Sequence, residues 1–433
     1  MKNKLIKSTI ILLVGGVITK LLGMIIRIIM TRLLGSEGMG LYMLLMPTFS
    51  LCIGLSIFGL PTAISKLVAE DKRNNKNLVL SIIPISIIVN IVIIVFLVIM
   101  SPFISRYLLK QPILKNSIIC IGLVLPFISI SNLLRGYFFG KEKMIPHVVS
   151  NVVEDIVRLV LISIFTPYFL IKGVKYAVSF IILTNIISEF TSILILFIFL
   201  PKGFCVKKDD FRINKVYLKD TLSISIPTTG SRLIGSIGYF LEPIIITFFL
   251  GISGYSNDFI VREYGIINGY VMPIILLPSF FTGAISNAIL PIISKSYSNK
   301  DYKYTIKKIK QGIIISLLIG IPFTLFIMIY PEIPLNVLYK TNDGVSYIKF
   351  FAPFCILHYV QSILTSSMQG IGSSKDASID TFVGMIIRTI SLILLSLMHI
   401  GLYGLLIASG LNIIYITIRH YMKLKRMLYS KSL

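Results

Sequence analysis

The sequence predicts an all-α polytopic membrane protein with about 12 transmembrane helices arranged as two six-helix bundles around a central cavity. Three observations carry that prediction. Of the 433 residues, 55% are hydrophobic and only 14% charged, with a mean hydropathy of +0.89 and no tryptophan, a balance far from that of a soluble globular domain. Apolar runs long enough to cross a bilayer, which takes roughly 20 residues, recur along the whole length. Local motifs of the first half return in the second at nearly constant spacing.

The expected spans lie near residues 8–30, 41–65, 78–102, 116–139, 147–170 and 176–200, then 221–250, 264–293, 312–330, 347–371, 378–398 and 402–421. The first follows Met1-Lys-Asn-Lys4 and runs past Met30 without a small-residue cleavage site, so it reads as a span and not as a signal peptide. Charge then sets orientation. With the N-terminus inside, 27 Lys and Arg fall on cytoplasmic segments and 9 on outer ones, so both termini are expected in the cytoplasm of a cell-membrane protein. The longest cytoplasmic connection, Lys202 to Lys219, marks the expected boundary between an N-terminal bundle, 1–205, and a C-terminal bundle with a basic tail, 206–433.

The net charge of +24 comes from 42 Lys+Arg against 18 Asp+Glu. In a membrane protein it points to loops facing anionic lipid and not to nucleic acid. Cys52, Cys120, Cys205 and Cys355 are far apart and the four histidines are scattered, so no metal site and no cofactor are expected, nor any constellation for enzymatic catalysis.

The repeat is visible residue by residue. Pro61 and Pro291, Gly140 and Gly370, and Arg158 and Arg388 are each 230 residues apart. Earlier, Thr19-Lys20-Leu-Leu-Gly23 resembles Ser231-Arg232-Leu-Ile-Gly235 at a spacing of 212. A six-span unit returns the chain to its starting side, so two tandem copies pack about an axis along the membrane normal and enclose a cavity suited to alternating access.

Ionisable side chains inside spans are the candidate functional residues, because each costs at least ~2.5 kcal/mol at mid-bilayer. Gly16, Lys20, Gly23, Arg27 and Thr31 fall on one face of the first helix, and Arg232 occupies the repeat position of Lys20. These cations, with Arg388, suit an anionic substrate. Glu154 and Arg158 are i,i+4 in the favourable order for an ion pair. Arg388 has Gly384 in place of that acid. Glu242, before Pro243, and Asp380 are the candidate ion-coupling acids, with an ion-pair role for Glu242 as the competing reading. Asn132, Asn185, Gln361, Gln369 and Asn412 are expected to bridge helices.

The motifs Thr19-Lys20-x-x-Gly23-x-x-x-Arg27-x-x-x-x-Arg32-x-x-Gly35-x-x-Gly38-x-Gly40-Leu-Tyr42, Pro47-Thr-Phe49 and Gly59-Leu-Pro61-x-Ala63-Ile-Ser-Lys66 resemble the opening of the stage V sporulation protein B family. Glu242-Pro243-Ile, Tyr264-Gly265 with Gly269, Leu277-Pro278-Ser279 and Pro291-x-x-Ser294 resemble its second half. That family stands with the polysaccharide exporters and lipid II flippases of the multidrug/oligosaccharidyl-lipid/polysaccharide exporter superfamily, which implies a MATE-like fold. The resemblance implies a non-enzymatic flippase for an undecaprenyl-pyrophosphate-linked peptidoglycan or oligosaccharide precursor, serving spore cortex synthesis alongside cortex peptidoglycan synthesis proteins. First-helix arginines of lipid II flippases receive the pyrophosphate, and the positions here that resemble them are Lys20 and Arg27; lysine keeps the charge but lacks the bidentate fork. Coupling to membrane potential, sodium or protons is left open, as are two alternatives: a cation-coupled multidrug exporter and a non-transporting scaffold.

Overall fold

In hydrocarbon every backbone N–H and C=O must be satisfied internally, and a helix does this segment by segment. The structure, a computed structural model, describes residues 2–70, 74–201 and 214–432, with backbone alone at 2–10, 13, 231, 232, 234, 235 and 429–432. The described chain is helical almost throughout. Helices α1 (Lys2–Ile57), α2 (Leu60–Ala69), α3 (Asn75–Phe103), α4 (Lys115–Gly140), α5 (Met144–Ile171), α6 (Val174–Ile198) and α7 (Lys215–Ile252) come first. They are followed by α8 (Asn257–Gly265), α9 (Met272–Ile275), α10 (Pro278–Ser298), α11 (Tyr302–Ile329), α12 (Glu332–Tyr339), α13 (Val345–Gly370), α14 (Ser374–Ser396) and α15 (Tyr403–Ser432).

Every stretch marked as a span by its hydropathy lies on these helices, yet by length and composition eight described helices qualify as spans, or nine if one bent pair counts as one. The number covers the described residues alone, and two physical features lower it. The first two expected spans run through one element, α1, interrupted only at Gly35, whose φ of 66° and ψ of −172° belong to a region open essentially to glycine alone. Helix α5 carries Glu154, Asp155 and Arg158 at its centre. Helix α7 is 38 residues long, Lys215–Ile252, and the apolar stretch that its described side chains show is Ser236–Ile252. The bent pair is the eighth expected span, broken by 54° between Ile275 and Pro278 after a π-helical stretch, Ile266–Val271.

Two compact units divide the chain, Met1–Ile244 and Ile245–Leu433. Packing therefore places the division inside α7, whereas the sequence places it in the basic connection after residue 205. The reason is local. Gly59, at φ 61°, lets the start of α2 lie so near α7 that a Cβ there would sit 2.7 Å from the Ser225 carbonyl oxygen, and Leu233 reaches within 3.8 Å of where a Cβ on Gly54 would be.

Within the first unit, Gly136 and Gly140 form a small-xxx-small pair on α4 against which the backbone of α2 rests. A Cβ on either would stand 2.6 Å from a carbonyl oxygen, that of Pro61 and that of Ser65 respectively. Leu60, Ile64 and Leu67 of α2, Leu78 and Ile82 of α3, and Leu133 and Phe138 of α4 close a buried apolar cluster around this contact. The second unit repeats the device at Gly370 of α13, where a Cβ would stand 2.8 Å from Ile293 of α10. At the position of Gly136 it has Ser366 instead, hydrogen-bonded to Ser286 of α10.

Several polar bridges between helices come from residues that the sequence did not single out. Ser56 of α1 donates to Asn90 of α3 at 2.6 Å and to the Leu125 carbonyl of α4 at 3.2 Å. Ser86 and Ser129 are bonded at 2.6 Å. Asn132 and Asn185, expected to bridge helices, instead donate to carbonyls of their own helices at 2.8 Å. Small hydroxyl residues fit the closely packed interior, where amide side chains turn back on the nearest backbone.

Gly136→Val forces a branched side chain into the α2 backbone. It is expected to lower stability by about 1–3 kcal/mol, measured as a fall in the thermal unfolding midpoint of the detergent-purified protein.

Candidate functional site

The first unit contains a cavity of about 210 Å³ faced by α1, α5 and α6. Helix α1 contributes twice. Before the Gly35 break it presents Gly23, Ile26, Arg27 and Met30, and after it Met39, Tyr42, Met43 and Met46, each set at i, i+3, i+4, i+7 and so on one helical face. Helix α5 adds Arg158 and Ile162, and α6 adds Ile181 and Asn185. Arg27 Nη2 donates across the break to Met43 Sδ at 3.7 Å, tying the two halves of α1 at the cavity wall.

Behind Arg158 lies a network that sequence reasoning assigned only in part. The Glu154 carboxylate is shared by two guanidiniums. Oε2 accepts from Arg135 Nη2 of α4 at 2.5 Å, and Oε1 accepts from Arg158 Nη2. Arg135 also donates to Ser192 of α6 at 2.7 Å and lies 3.8 Å from Glu189, whose carboxylate accepts from Ser131 at 2.5 Å. Arg158 reaches Ser188 and Asp155, each at 3.5 Å. The side chains of Arg135, Glu154 and Glu189 are 10%, 9% and 7% exposed, against 23% for Arg158. Buried charges persist only when paired and hydrogen-bonded. The pairing here holds α4, α5 and α6 together and leaves the half-buried Arg158 facing the cavity.

Arg135 and Glu189 were the residues missed. The signal was available: each is an ionisable side chain inside a long apolar run, which by default marks function in a membrane segment.

The other candidate residues are dispersed. Lys20, two turns before Arg27 on α1, is exposed and is not among the residues that line this cavity. The side chain of Arg232 lies outside the described residues. Glu242, on α7, is 4% exposed. In the second unit, Arg388 of α14 donates to Ser409 of α15 at 3.2 Å, as its counterpart Arg158 does to Ser188 of α6. Asp380, 1% exposed, is held by Lys423 at 2.9 Å and Arg419 at 3.5 Å.

The repeat positions show why only the first unit has this charged network. The counterpart of Glu154 is Gly384, and a Cβ there would stand 2.8 Å from Ile416 of α15, so close helix packing occupies the place of the acid. The counterpart of Arg135 is Thr365, which meets His420 of α15 at 3.2 Å.

Among the described residues no group of three or more His, Cys, Asp or Glu is placed to hold a metal ion. The arrangement can instead receive an anion, since two guanidiniums and a tyrosine share one small cavity with an amide.

Helices of this order around a charged cavity make a multi-pass membrane protein of MATE-like fold. A solved inward-facing multidrug resistance MATE family transporter of the MOP superfamily matches with a TM-score of 0.74, over 96% of this chain and 95% of that one at 18% identity. The chain belongs to the family described as polysaccharide biosynthesis protein, which it matches over residues 5–297, and it matches the MatE family over residues 236–394. It is 31% identical to stage V sporulation protein B of Bacillus subtilis (strain 168), over 97% of this chain and 83% of that protein. It is 22% identical to lipid II flippase MurJ of the same organism, over 98% of this chain and 83% of that protein.

Glu154→Ala leaves Arg135 buried beside a lost partner and is expected to destabilise the protein by about 3–5 kcal/mol. Replacing Arg135 and Glu154 together by methionine is expected to recover part of that loss; chemical denaturation of both variants checks the pair.

Proposed function

We propose that this protein is an alternating-access flippase for an undecaprenyl-pyrophosphate-linked peptidoglycan or oligosaccharide precursor, serving spore cortex synthesis. The observation that carries the reading is the placement of Arg27 and Arg158 on the wall of one cavity, with Arg158 braced from behind by Glu154. Guanidiniums match phosphate oxygens with two parallel donors, which favours arginine wherever a phosphate is recognised. The names of two relatives, a stage V sporulation protein and a lipid II flippase, support the cargo. Lys20, Arg232 and Arg388 are further cations for the passage of the same phosphates.

The excess of Lys and Arg on alternate loops supports cytoplasmic termini, and the motifs repeated at a spacing of 230 residues support two six-helix bundles. Membrane potential is a sufficient driving force for an anionic cargo, at about 2.3 kcal/mol per charge per 100 mV. Glu242 and Asp380 remain the acids through which sodium or protons would couple; the engagement of Asp380 by Lys423 and Arg419 supports an ion-pair role for it. Cortex peptidoglycan synthesis proteins are the proposed functional partners.

The test is flipping of fluorescent lipid II in liposomes containing the purified protein. Arg27→Ala and Arg158→Ala are each expected to slow flipping at least tenfold at unchanged protein level, and Arg158→Lys to restore only part of the rate because it lacks the fork. Variants that flip at the wild-type rate would remove these two arginines from cargo recognition, and wild-type protein that flips no faster than protein-free liposomes would point to the scaffold reading or another cargo.

A further inference from the structure

The spacing of the repeat grows from 212 residues at Arg232 to 230 at Pro291, so the second half holds chain between these points that the first half lacks. Helix α8 lies in that interval and ends at Gly265, where the chain passes into the π-helical stretch Ile266–Val271. Such stretches are frequent at functional sites. Gly344, at φ 99°, brings the loop before α13 so close to this stretch that a Cβ there would stand 2.7 Å from Val271 and 3.1 Å from Ile266. The approach closes a pocket of about 480 Å³ between α8, that loop and the first turns of α13 and α15.

Its lining is polar and aromatic together. Glu263 accepts from the Tyr347 hydroxyl at 2.6 Å, and the rings of Tyr347 and Tyr403 have centroids 4.8 Å apart. Arg262 stands 3.7 Å from Asp343, with 58% and 42% of the two side chains exposed. Asn342 accepts from Asn336 through Oδ1 at 2.8 Å and keeps its amide N–H donors for a further partner. At the repeat spacing of 230 the first unit has Pro112, Ser117 and Gly173 where the second has Asn342, Tyr347 and Tyr403, so this part of the lining belongs to the second unit alone. Two carboxylates against one guanidinium disfavour a phosphate, the guanidinium disfavours an amine, and the ionised and amide groups disfavour a lipid tail. A neutral polyol remains. A pyranose carries hydroxyls that both donate and accept, and C–H faces that pack on an aromatic ring. Donors on Arg262 and Asn342, acceptors on Glu263 and Asp343 and the tyrosine rings match that set, and the volume, within the roughly 300–1,000 Å³ of small-molecule sites, admits a disaccharide.

We propose that this pocket is a carbohydrate-binding site, in which a disaccharide packs on Tyr403 and is held through its hydroxyls by Glu263, Arg262 and Asn342. Helix α15 runs from Tyr403 to the C-terminal tail over 30 residues, about 45 Å, so with cytoplasmic termini the site opens on the outer face. It shares no residue with the cavity of the first unit and does not depend on the flippase reading. The site takes the sugar in either form that presents it, on a carrier lipid or in a glycan already outside.

The test is calorimetric titration of the full chain in phosphatidylcholine nanodiscs with N,N′-diacetylchitobiose, cellobiose, inorganic phosphate and putrescine. At least one disaccharide is expected to bind about tenfold or more tighter than phosphate and putrescine, and Glu263→Gln and Asn342→Ala each to weaken it about five- to tenfold through a lost hydrogen bond. Tyr403→Trp supplies a second readout, since the chain has no tryptophan of its own: in liposomes its fluorescence shifts when the same disaccharide is added. Absence of disaccharide binding, or tighter binding of phosphate or putrescine, overturns the site. So does sugar binding that neither Glu263→Gln nor Asn342→Ala weakens. The wild-type ranking is decisive even where a variant fails to fold. Lipid II flipping with the disaccharide added outside then assigns the source: slowed flipping identifies the sugar of a carrier-linked precursor, and unslowed flipping by a protein that binds the disaccharide identifies a glycan already outside.

Discussion

The Glu154 carboxylate, shared between Arg135 and Arg158, is the interaction on which the rest of the first unit depends. A single ion in this interior would be driven toward neutrality or expelled, so each member of the network needs the others. Because the three charged groups come from α4 and α5 and their hydroxyl partners from α6, satisfying the charges also fixes how these helices pack. The same bonds decide that Arg158 faces the cavity. Stability and site geometry are therefore one constraint.

A second constraint is steric. Gly35 breaks α1 in a conformation closed to other residues, and its two halves then present matched faces to one space. Gly136 and Gly140 let α2 approach α4 at backbone distance, which gives the unit a dense region on which a charged region can be carried. Dense packing and a buried charged network coexist because different faces of α4 serve each: Gly136 turns to α2 while the neighbouring Arg135 turns to α5 and α6.

The two units share positions and diverge in chemistry. Gly140 and Gly370 do the same steric work, and Arg158 and Arg388 both bond a serine on the following helix. Yet Glu154 is matched by Gly384, whose lack of a side chain admits Ile416. A duplicated scaffold thus keeps its packing rules while one copy alone carries the Arg135, Glu154, Arg158 and Glu189 cluster.

Much of this was legible in the sequence because it follows from local periodicity. Hydropathy marked the helical stretches, the i,i+4 spacing of Glu154 and Arg158 put acid and base on one face, and the glycine-containing interval after Thr31 separated the two halves of α1. What hydropathy left open was where the helices bend, since a break at Gly35 or between Ile275 and Pro278 changes direction without changing composition. Arg135 and Glu189 were visible as ionisable residues but not as partners. They stand 54 positions apart, and Glu154 lies between them on another helix, so only packing brings them together. The α1 side of the cavity is likewise two ordinary helical faces until the break at Gly35 turns them to one space. The sequence by itself determined which residues are helical and which charges must be buried; the tertiary structure decided which of those charges meet, because a buried ion is satisfied by whatever helix packs beside it and that choice is made at long range.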